Sequence, residues 1–307
     1  MPNTIKKPHI LLIAINDKCN YKCLHCDCSP QHISGNKKFS KKQWIKLIND
    51  FADYGGKIIS IIYKEPLLTI QSRKKVAAII MTAKKKGLRC GFINNGSKFK
   101  NFIQEWPNLK IDFVDFSIEG LKINQEQIRI NSSFKSVEES ICLANKNKNV
   151  KQINLIFTIN KLNYSEIKQF VNYFARLNKI NYIFDTWIPY KNSPPNFGIS
   201  KEVYLKNIFP VLSSLGKKYP NRIILDFFSS SFRNNGLFKN IQKNGKKIKL
   251  NTRDYLIKYK NFFIRYENPL LLFQEAIIIS PQGKIIRREA LNKFNYLQDN
   301  FGYFKNK

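Results

Sequence analysis

Residues 9–26 read HILLIAINDKCNYKCLHC, so a largely apolar run, His9–Ile15, leads directly into a CxxxCxxC motif. The run has the length of a buried strand and is too short to span a membrane. The loop after it carries Cys19, Cys23 and Cys26. Three thiolates in one short loop can each bind one iron of a [4Fe–4S] cluster, which leaves the fourth iron without a protein ligand. A small molecule can bind at that open iron.

A structural zinc site is the alternative interpretation of this loop. His25 or Cys28 would complete a tetrahedron with two or three of the same thiols. Structural zinc sites usually draw their ligands from two separated pairs, whereas all the candidates here lie in one loop. The spacing therefore favours a cluster, and the alternative predicts zinc instead of iron.

The composition is that of a globular protein of a reducing compartment. With 307 residues and 43% hydrophobic content, the chain can bury a large core without disulfide bonds. Its six cysteines, three of them in one loop, fit metal or cluster binding better than a disulfide framework. The sequence shows no secretory signal and no membrane span, so we expect a cytoplasmic protein without a membrane partner.

The net charge of +32 would fit an anionic partner such as nucleic acid. However, the lysines are spread along the whole chain, and no nucleic-acid-binding module accompanies them. The abundance of Lys, Asn, Ile, Phe and Tyr also fits A/T-rich codons. We therefore expect a solvated basic surface and no nucleic-acid partner.

Strand-like and helix-like runs alternate over the first two thirds of the chain, which predicts parallel βα units. Six such units form an incomplete barrel, so the predicted fold is α/β, a partial (β/α)6 TIM-like barrel. The predicted strands are His9–Ile15, Ile58–Ile62, Arg89–Ile93, Phe113–Ser117, Gln152–Ile159 and Tyr182–Trp187.

Two helices between these strands have recognisable starts. Ser40 and Gln43 have the spacing of a capping box, and Asn163 and Glu166 repeat it. Each pair precedes a stripe of apolar residues at helical spacing, which predicts a helix packed on the sheet. The two stripes are Trp44, Leu47, Ile48, Phe51 and Ile167, Phe170, Val171, Phe174.

The pattern changes after the Pro-rich segment 189–200, which predicts a linker or lid. We therefore divide the chain into a barrel, residues 1–199, and a smaller α+β extension, residues 200–307. In the extension we predict a helix over Lys201–Lys218 and a strand over Arg222–Phe227. A Pro-Gln-Gly turn at 281–283 predicts a hairpin near the end of the chain.

The cysteine loop after a first strand resembles the cluster loop of the radical S-adenosylmethionine (SAM) enzymes. After the second strand, members of that family carry a Gly-Gly-Glu-Pro turn; here Glu65 and Pro66 match, whereas Tyr63 and Lys64 replace the glycines. Glycine tolerates a positive φ and other residues do so at a cost. We therefore expect this turn to use ordinary dihedral angles or to be remodelled.

Three later strand ends extend the resemblance. Asn94-Asn95-Gly96 is similar to the Thr-Asn-Gly turn of the family, and Ser117-Ile118-Glu119-Gly120 is similar to its Ser-x-Asp-Gly segment. Arg129 lies further on, ahead of the next helix, and Asn160 ends the fifth strand. The carboxyl ends of barrel strands meet at one edge, where barrel enzymes assemble their active sites.

The resemblance implies a SAM site built on these residues. It places His25 against the adenine, Glu65 on the amino group, and Ser117 and Arg129 on the carboxylate. It implies an enzyme that reductively cleaves SAM at the [4Fe–4S] cluster to a 5′-deoxyadenosyl radical, which abstracts hydrogen from a substrate. The implied SAM ligands are His25, Lys64, Glu65, Asn95, Ser117, Arg129 and Asn160.

The order of the motifs resembles the subgroup with a C-terminal SPASM or twitch extension, because residues 276–286 are similar to its β-hairpin. A cluster cysteine is expected after that hairpin, but Arg287 follows, and no cysteine occurs after Cys142. Auxiliary clusters of that type are therefore excluded by ligand count. The extension is a scaffold in this interpretation.

The subgroup implies a peptide or protein substrate, with a small metabolite such as a sugar or nucleoside as the alternative. It also implies a one-electron reductant such as flavodoxin or ferredoxin. Asp185, Trp187 and Tyr190 are substrate-pocket candidates by their position at the sixth strand end. A non-catalytic binding protein that kept the fold is the remaining alternative, motivated by the altered Gly-Gly-Glu-Pro turn.

Overall fold

The computed structural model describes residues 9–26, 38–187, 194–228, 245–249, 255–267 and 276–283. In these ranges the strands form one eleven-stranded sheet and a two-stranded ribbon. The strands are β1 Ile10–Ala14, β2 Lys22–Cys23, β3 Ile58–Ile62, β4 Arg89–Asn94, β5 Phe113–Ser117, β6 Arg129–Ile130, β7 Ile153–Ile159, β8 Ile180–Thr186, β9 Ile223–Phe228, β10 Lys246–Lys249, β11 Tyr255–Tyr259, β12 Phe262–Glu267 and β13 Ala276–Ile279.

In the described residues, helices lie between the strands along the chain. A 3₁₀ turn, Tyr164–Glu166, precedes the sixth helix, and a π-helical turn, Tyr204–Ile208, joins the last two. The helices are α1 Lys41–Asp53, α2 Ile70–Lys85, α3 Phe99–Glu105, α4 Lys122–Ile128, α5 Phe134–Lys146, α6 Ile167–Phe174, α7 Lys201–Val203 and α8 Phe209–Lys218.

Six parallel strands in chain order form the centre of the sheet. β1, β3, β4, β5, β7 and β8 are successive neighbours, each paired in parallel with the next. This confirms the predicted partial (β/α)6 barrel. The six predicted strands coincide with these six to within two residues at either end.

Strands from beyond residue 200 join both edges of this six-stranded core. β9 pairs in parallel with β8 and β12 with β9, while β13 pairs in parallel with β1. The predicted helix and strand after residue 200 correspond to α7–α8 and β9. The predicted second hairpin strand lies outside the described residues, and the division into residues 1–199 and 200–307 stays a prediction.

The core lies between the sheet and its helices. The capping box at Ser40 and Gln43 is present, and the predicted stripe of α1 is wholly buried. Along each strand, alternate residues point into this core, as the period of two requires. No helix in the described part of the chain is both long enough and apolar enough to cross a membrane.

The predicted capping box at Asn163 is wrong. Asn163 makes no side-chain cap bond, and α6 begins at Ile167 after the 3₁₀ turn. The Asn163 side chain instead accepts from the backbone N–H of Asn160, at 2.8 Å, and donates to the carbonyl of Glu119, at 3.1 Å. Asn163 therefore links two strand ends, a contact that the local sequence does not encode. The apolar stripe of α6 is buried as predicted.

Candidate active site

The cysteine loop continues from the end of β1, and its first residues are hydrogen-bonded to the turn after β3. Asn16 donates through Nδ2 to the carbonyl of Glu65, at 2.6 Å, and Glu65 N–H donates to the carbonyl of Lys18, at 3.1 Å. The Lys18 N–H closes an Asx turn on Oδ1 of Asn16, at 2.8 Å. These bonds place Cys19 beside the strand end that carries Glu65.

The three thiols of the loop lie close enough to influence one another. Cys19 and Cys26 are exposed and Cys23 is half-buried. Burial raises the pKa of Cys23 to about 11, with Cys26 and Cys19 adding to the rise and Arg129 opposing it. Burial likewise raises the pKa of Cys19. Among the described residues, no three His, Cys, Asp or Glu side chains are grouped to hold a single metal ion.

The turn after β3 keeps the left-handed conformation that glycine would favour. Tyr63 has φ 64° and Lys64 has φ 50°. The expectation of ordinary dihedral angles or a remodelled turn is therefore wrong. A left-handed conformation costs an L-residue roughly 1–2 kcal/mol. Tyr63 and Lys64 thus adopt a backbone conformation that is unfavourable for residues with a side chain. Such backbone strain is concentrated at functional sites.

Glu65, which follows this turn, is wholly buried. Its carboxylate accepts from two backbone N–H groups, those of Asn95 at 2.7 Å and Leu67 at 3.0 Å. Burial raises the pKa of Glu65 to about 7, against the lowering effect of those two bonds and of Arg129. Glu65 is thus a carboxyl group that changes its charge near neutral pH.

The Asn95 turn after β4 connects Glu65 with the cysteine loop. Asn95 donates through Nδ2 to Oδ1 of Asn20, at 2.9 Å, and lies 3.7 Å from Sγ of Cys19. Gly96 has φ 82°, which only glycine adopts readily. The predicted Asn-Gly turn is therefore present and contacts the loop.

A two-residue antiparallel ladder fixes the other side of the loop. Cys23 of β2 is the register partner of Arg129 of β6, and Leu24 N–H donates to the carbonyl of Ile128 at 2.9 Å. Nη1 of Arg129 donates to Sγ of Cys23, at 3.5 Å. The segment after α4 thus carries both the backbone partner and a cation for the second cysteine.

Glu119 is the main partner of Arg129. Its Oε1 accepts from Nη2 of Arg129, at 2.7 Å, and from Nε, at 3.2 Å. Its Oε2 accepts from the backbone N–H of Thr158, at 2.7 Å. Glu119 is 0% exposed and Arg129 8% exposed. The site therefore contains a buried ion pair next to the cysteine loop.

The imidazole ring of His25 lies beside the carboxylate of Glu119. Its Nε2 is 3.4 Å from Oε1 of Glu119, while Nδ1 is buried without a hydrogen-bond partner in the described part of the chain. Burial lowers the pKa of His25 to about 4, so the ring is neutral at physiological pH. Its predicted place against adenine stays a prediction.

Ser117 and Asn160 hold different positions. Ser117 ends β5 and is half-buried. Asn160 is 0% exposed, and its amide is engaged within its own turn, with the N–H of Leu162 at 2.9 Å and the carbonyl of Thr158 at 3.0 Å. Asn160 therefore shapes the strand end. The SAM contacts predicted for both residues and for Lys64 stay predictions.

A polar row crosses the face of the sheet that is turned away from the helices. Four residues are successive register partners on β7, β8, β9 and β12. On each strand the residue just before the row member is 0% exposed in the core, so the row's side chains project to the inner face of the barrel. The row consists of Thr158, Asp185, Asp226 and Arg265.

This row includes one predicted substrate-pocket residue. Nε of Arg265 donates to Oδ1 of Asp226, at 2.8 Å, beside Asp185 on the next strand. Trp187 stacks edge-on against Phe197, with ring centroids 5.5 Å apart. Tyr190 lies outside the described residues. The substrate roles of Asp185, Trp187 and Tyr190 stay predictions.

The residues present fit a cluster held by three thiolates. All three sulfurs come from one loop, and two of them already accept N–H groups. Cys19 Sγ accepts from the backbone N–H of Tyr21, at 3.5 Å, and Cys23 Sγ from Arg129. Hydrogen bonds to ligand sulfurs are a normal feature of iron–sulfur sites. The nearby carboxyl of Glu65 and the unpartnered Nδ1 of His25 offer polar atoms for a small molecule at the open iron.

Glu119 is a site residue that the sequence alone does not identify. In the sequence, Glu119 stands only as the residue that replaces Asp in the segment similar to Ser-x-Asp-Gly. In the structure, its carboxylate is the partner of Arg129 in the buried ion pair. One signal is present in the sequence, because this carboxylate lies two residues after the end of a buried strand and ten residues before an arginine. That spacing alone does not say that the two side chains meet.

The family match covers most of the barrel, up to the helix before β8. Residues 13–174 match the family model described as Radical SAM superfamily. The chain is 26% identical over 164 residues to the Fe-coproporphyrin III synthase of Methanosarcina barkeri, covering 53% of this chain and 39% of that protein. It is 31% identical over 121 residues to the GTP 3′,8-cyclase of Psychromonas ingrahamii, covering 39% and 35%. The chain thus spans well under half the length of these curated relatives.

Solved structures show the same fold at low identity. The crystal structure of Streptococcus suis SuiB superimposes with a TM-score of 0.67 at 13% identity, over 98% of this chain and 66% of that one. Native anSMEcpe with bound AdoMet superimposes with a TM-score of 0.58 at 17% identity, over 71% and 64%. The described fold is therefore shared well beyond the residues that match the family model.

Proposed function

This chain belongs to the radical SAM superfamily, and from that premise we propose that it cleaves SAM reductively and abstracts hydrogen from a peptide or protein substrate. The superfamily uses a [4Fe–4S] cluster and SAM as cofactors. When bound, these two supply one-electron chemistry that yields a 5′-deoxyadenosyl radical. The protein's own residues bind, orient and shield the reactants.

The observation that carries this proposal is the arrangement around the cysteine loop. Cys19 lies beside the turn of Asn95 and Glu65, and Cys23 lies beside Arg129 and Glu119. These groups come from the ends of three different strands and meet at one edge of the barrel.

We assign the residues as follows. Cys19, Cys23 and Cys26 hold the cluster. Around it, the SAM ligands are proposed to be His25, Lys64, Glu65, Asn95, Ser117, Arg129 and Asn160. Arg129 keeps N–H groups beyond those on Glu119 and Cys23, since a guanidinium has five. It can therefore reach a SAM carboxylate as well.

The test is anaerobic reconstitution with iron and sulfide, followed by SAM and a strong one-electron reductant. We expect a [4Fe–4S] spectrum and 5′-deoxyadenosine, and loss of both when Cys19, Cys23 and Cys26 are changed to alanine. Cys142→Ala is the matched control, because Cys142 lies on α5 outside the loop. Zinc in the purified protein, with neither signal, would overturn the proposal in favour of the structural zinc site.

A peptide substrate is supported by two features. One structural neighbour, SuiB bound to precursor peptide SuiA, has the same fold, with a TM-score of 0.65 at 11% identity. The net charge of +32 also suits an acidic peptide. The polar row with Asp185 and Arg265 is the proposed substrate wall, and Tyr190 is proposed as a substrate residue from its place in the sequence alone.

A small metabolite is the second candidate, favoured by the names of the curated relatives, which include GTP 3′,8-cyclases. Tests with GTP and with a fluorescent glutamate-rich decapeptide distinguish the metabolite candidate from the peptide candidate. We expect the peptide to bind, by fluorescence anisotropy, and GTP to leave 5′-deoxyadenosine formation unchanged. Stimulation by GTP without peptide binding would favour the metabolite.

The electron source and location follow from the same chemistry. We propose flavodoxin or ferredoxin as the one-electron reductant. A cytoplasmic location is proposed because the thiols of the loop must stay reduced to bind iron.

A further inference from the structure

The buried ion pair of Glu119 and Arg129 is aimed at one sulfur. Arg129 uses Nε and Nη2 on Oε1 of Glu119, at 3.2 and 2.7 Å, and directs Nη1 to Sγ of Cys23, at 3.5 Å. A guanidinium is planar with its N–H groups in a fixed fork. The carboxylate on one edge therefore determines where the remaining N–H groups point.

The backbone holds the same geometry. Cys23 and Arg129 are register partners in the β2–β6 ladder, so their Cα atoms cannot drift apart without breaking it. Glu119 is anchored in turn, since its N–H donates to Oε1 of Gln125 at 2.8 Å and its Oε2 accepts from Thr158. The distance between the guanidinium and the Cys23 sulfur is thus fixed from both sides.

Burial makes these charges effective. The side chains of Glu119 and Arg129 are 0% and 10% exposed, so water and salt screen them little. By contrast, the donors that Cys19 Sγ faces among the described residues are uncharged, namely the Tyr21 backbone N–H and the Asn95 amide. The three thiols of the loop are therefore electrostatically unequal.

We infer that the Glu119–Arg129 pair sets the reduction potential of the cluster through Cys23. Arg129 stabilises the more negative, reduced form by its charge and its N–H···S bond. Glu119 is a positioning residue, which aims the guanidinium and offsets its charge. This inference rests on the proposed function, because it requires the cluster to be present.

The experiment is a redox titration of the reconstituted protein without SAM, followed by the electron paramagnetic resonance of the reduced cluster. At the wild-type midpoint potential, Arg129→Gln should lower the ratio of reduced to oxidised cluster about tenfold, which is about 59 mV for one electron. Glu119→Gln should shift the ratio the opposite way, because the guanidinium loses its counter-charge. The double variant should return close to wild type.

Arg73→Gln is the matched control. Arg73 is also buried, and its Nε and Nη2 donate to Glu105 at 2.9 and 2.5 Å, whereas its Nη1 donates to the carbonyl of Leu67, so its hydrogen-bond partners in the described residues lie outside the cysteine loop. We expect its midpoint potential to equal that of wild type.

Opposite shifts that cancel in the double variant would support an electrostatic role. A merely structural role would loosen the loop, so both single variants would lose iron or shift the same way, and either result would overturn the inference. An unchanged potential in all variants would overturn it too. If Arg129→Gln does not fold, Glu119→Gln and the double variant decide. A wild-type protein without a cluster would instead overturn the proposed function.

Discussion

Glu65 and Glu119 are both 0% exposed and both stand just past a parallel strand beside the cysteine loop, yet their carboxylates have different partners. The Glu65 carboxylate accepts from two backbone N–H groups, those of Leu67 and Asn95, and burial raises its pKa to about 7. Glu119 accepts from a guanidinium as well as from the N–H of Thr158. The loop is thus flanked by one carboxyl with a pKa near 7 and by one buried ion pair.

The difference shows two ways to bury an acid. A backbone-bonded carboxyl can become neutral when its charge is too costly, whereas a paired one depends on its partner. The two strand ends also differ in backbone. The turn before Glu65 has two non-glycine residues at positive φ, whereas the turn after Glu119 has glycine, Gly120, at its positive φ of 142°.

The largest effect is expected from removing the cation. Arg129→Met leaves Glu119 buried without its counter-charge, which should lower the free energy of unfolding by about 3–5 kcal/mol. Urea unfolding followed by circular dichroism measures this. Arg73→Met should cost much less, because its partner Glu105 is 32% exposed and stays hydrated.

A second variant isolates the cause. Glu119→Gln combined with Arg129→Met removes the unpaired charge while an amide oxygen can still accept from Thr158. Most of the lost stability should return. If the double variant were no more stable than Arg129→Met, the loss would come from packing and not from the buried charge.

A smaller, pH-dependent effect is expected at Glu65. Its pKa is raised from 4.5 to about 7 on folding, so the folded state binds the proton more tightly. The stabilisation is therefore full below pH 4.5 and is lost as the pH rises through about 7. The change should be at most about 3 kcal/mol between these limits. Unfolding free energies measured from pH 5 to pH 8 test it.

Glu65→Gln is the matched control for this pH dependence. The variant has no titratable group at this position and should lose that part of the decline. It should also be destabilised at every pH, because its single amide oxygen cannot serve both N–H groups. An equal slope in both proteins would show that other groups cause the decline.

The smallest effect is expected at the strained turn. Tyr63→Gly or Lys64→Gly should raise the free energy of unfolding by about 0.5–1 kcal/mol, since glycine adopts positive φ without the cost of a side chain. Lys57 is exposed and has no positive φ, so Lys57→Gly should lower the free energy of unfolding. A destabilised Lys64→Gly would mean that contacts of the lysine outweigh the strain.

Much of the fold could be predicted because its signals are local or periodic. The alternation of apolar runs predicted the six parallel strands, and Ser40 with Gln43 predicted the start of α1. These features depend on neighbours within one or two turns. At Asn163 the same reasoning failed, because its side-chain oxygen accepts from the N–H of Asn160 and its amide group donates to the carbonyl of Glu119, 44 residues away.

The candidate site divides in the same way. The order of the amino acids establishes that three cysteines share one loop after a first strand, and that polar residues follow the next strands. Which of these residues meet depends on the folded barrel, since Arg129 and Cys23 lie 106 positions apart and Asn95 and Cys19 lie 76 apart. The folded structure also decided that Tyr63 and Lys64 keep a left-handed turn. Spacing determines which backbone elements form, whereas the partner of a buried charge depends on distances that arise only when the barrel closes.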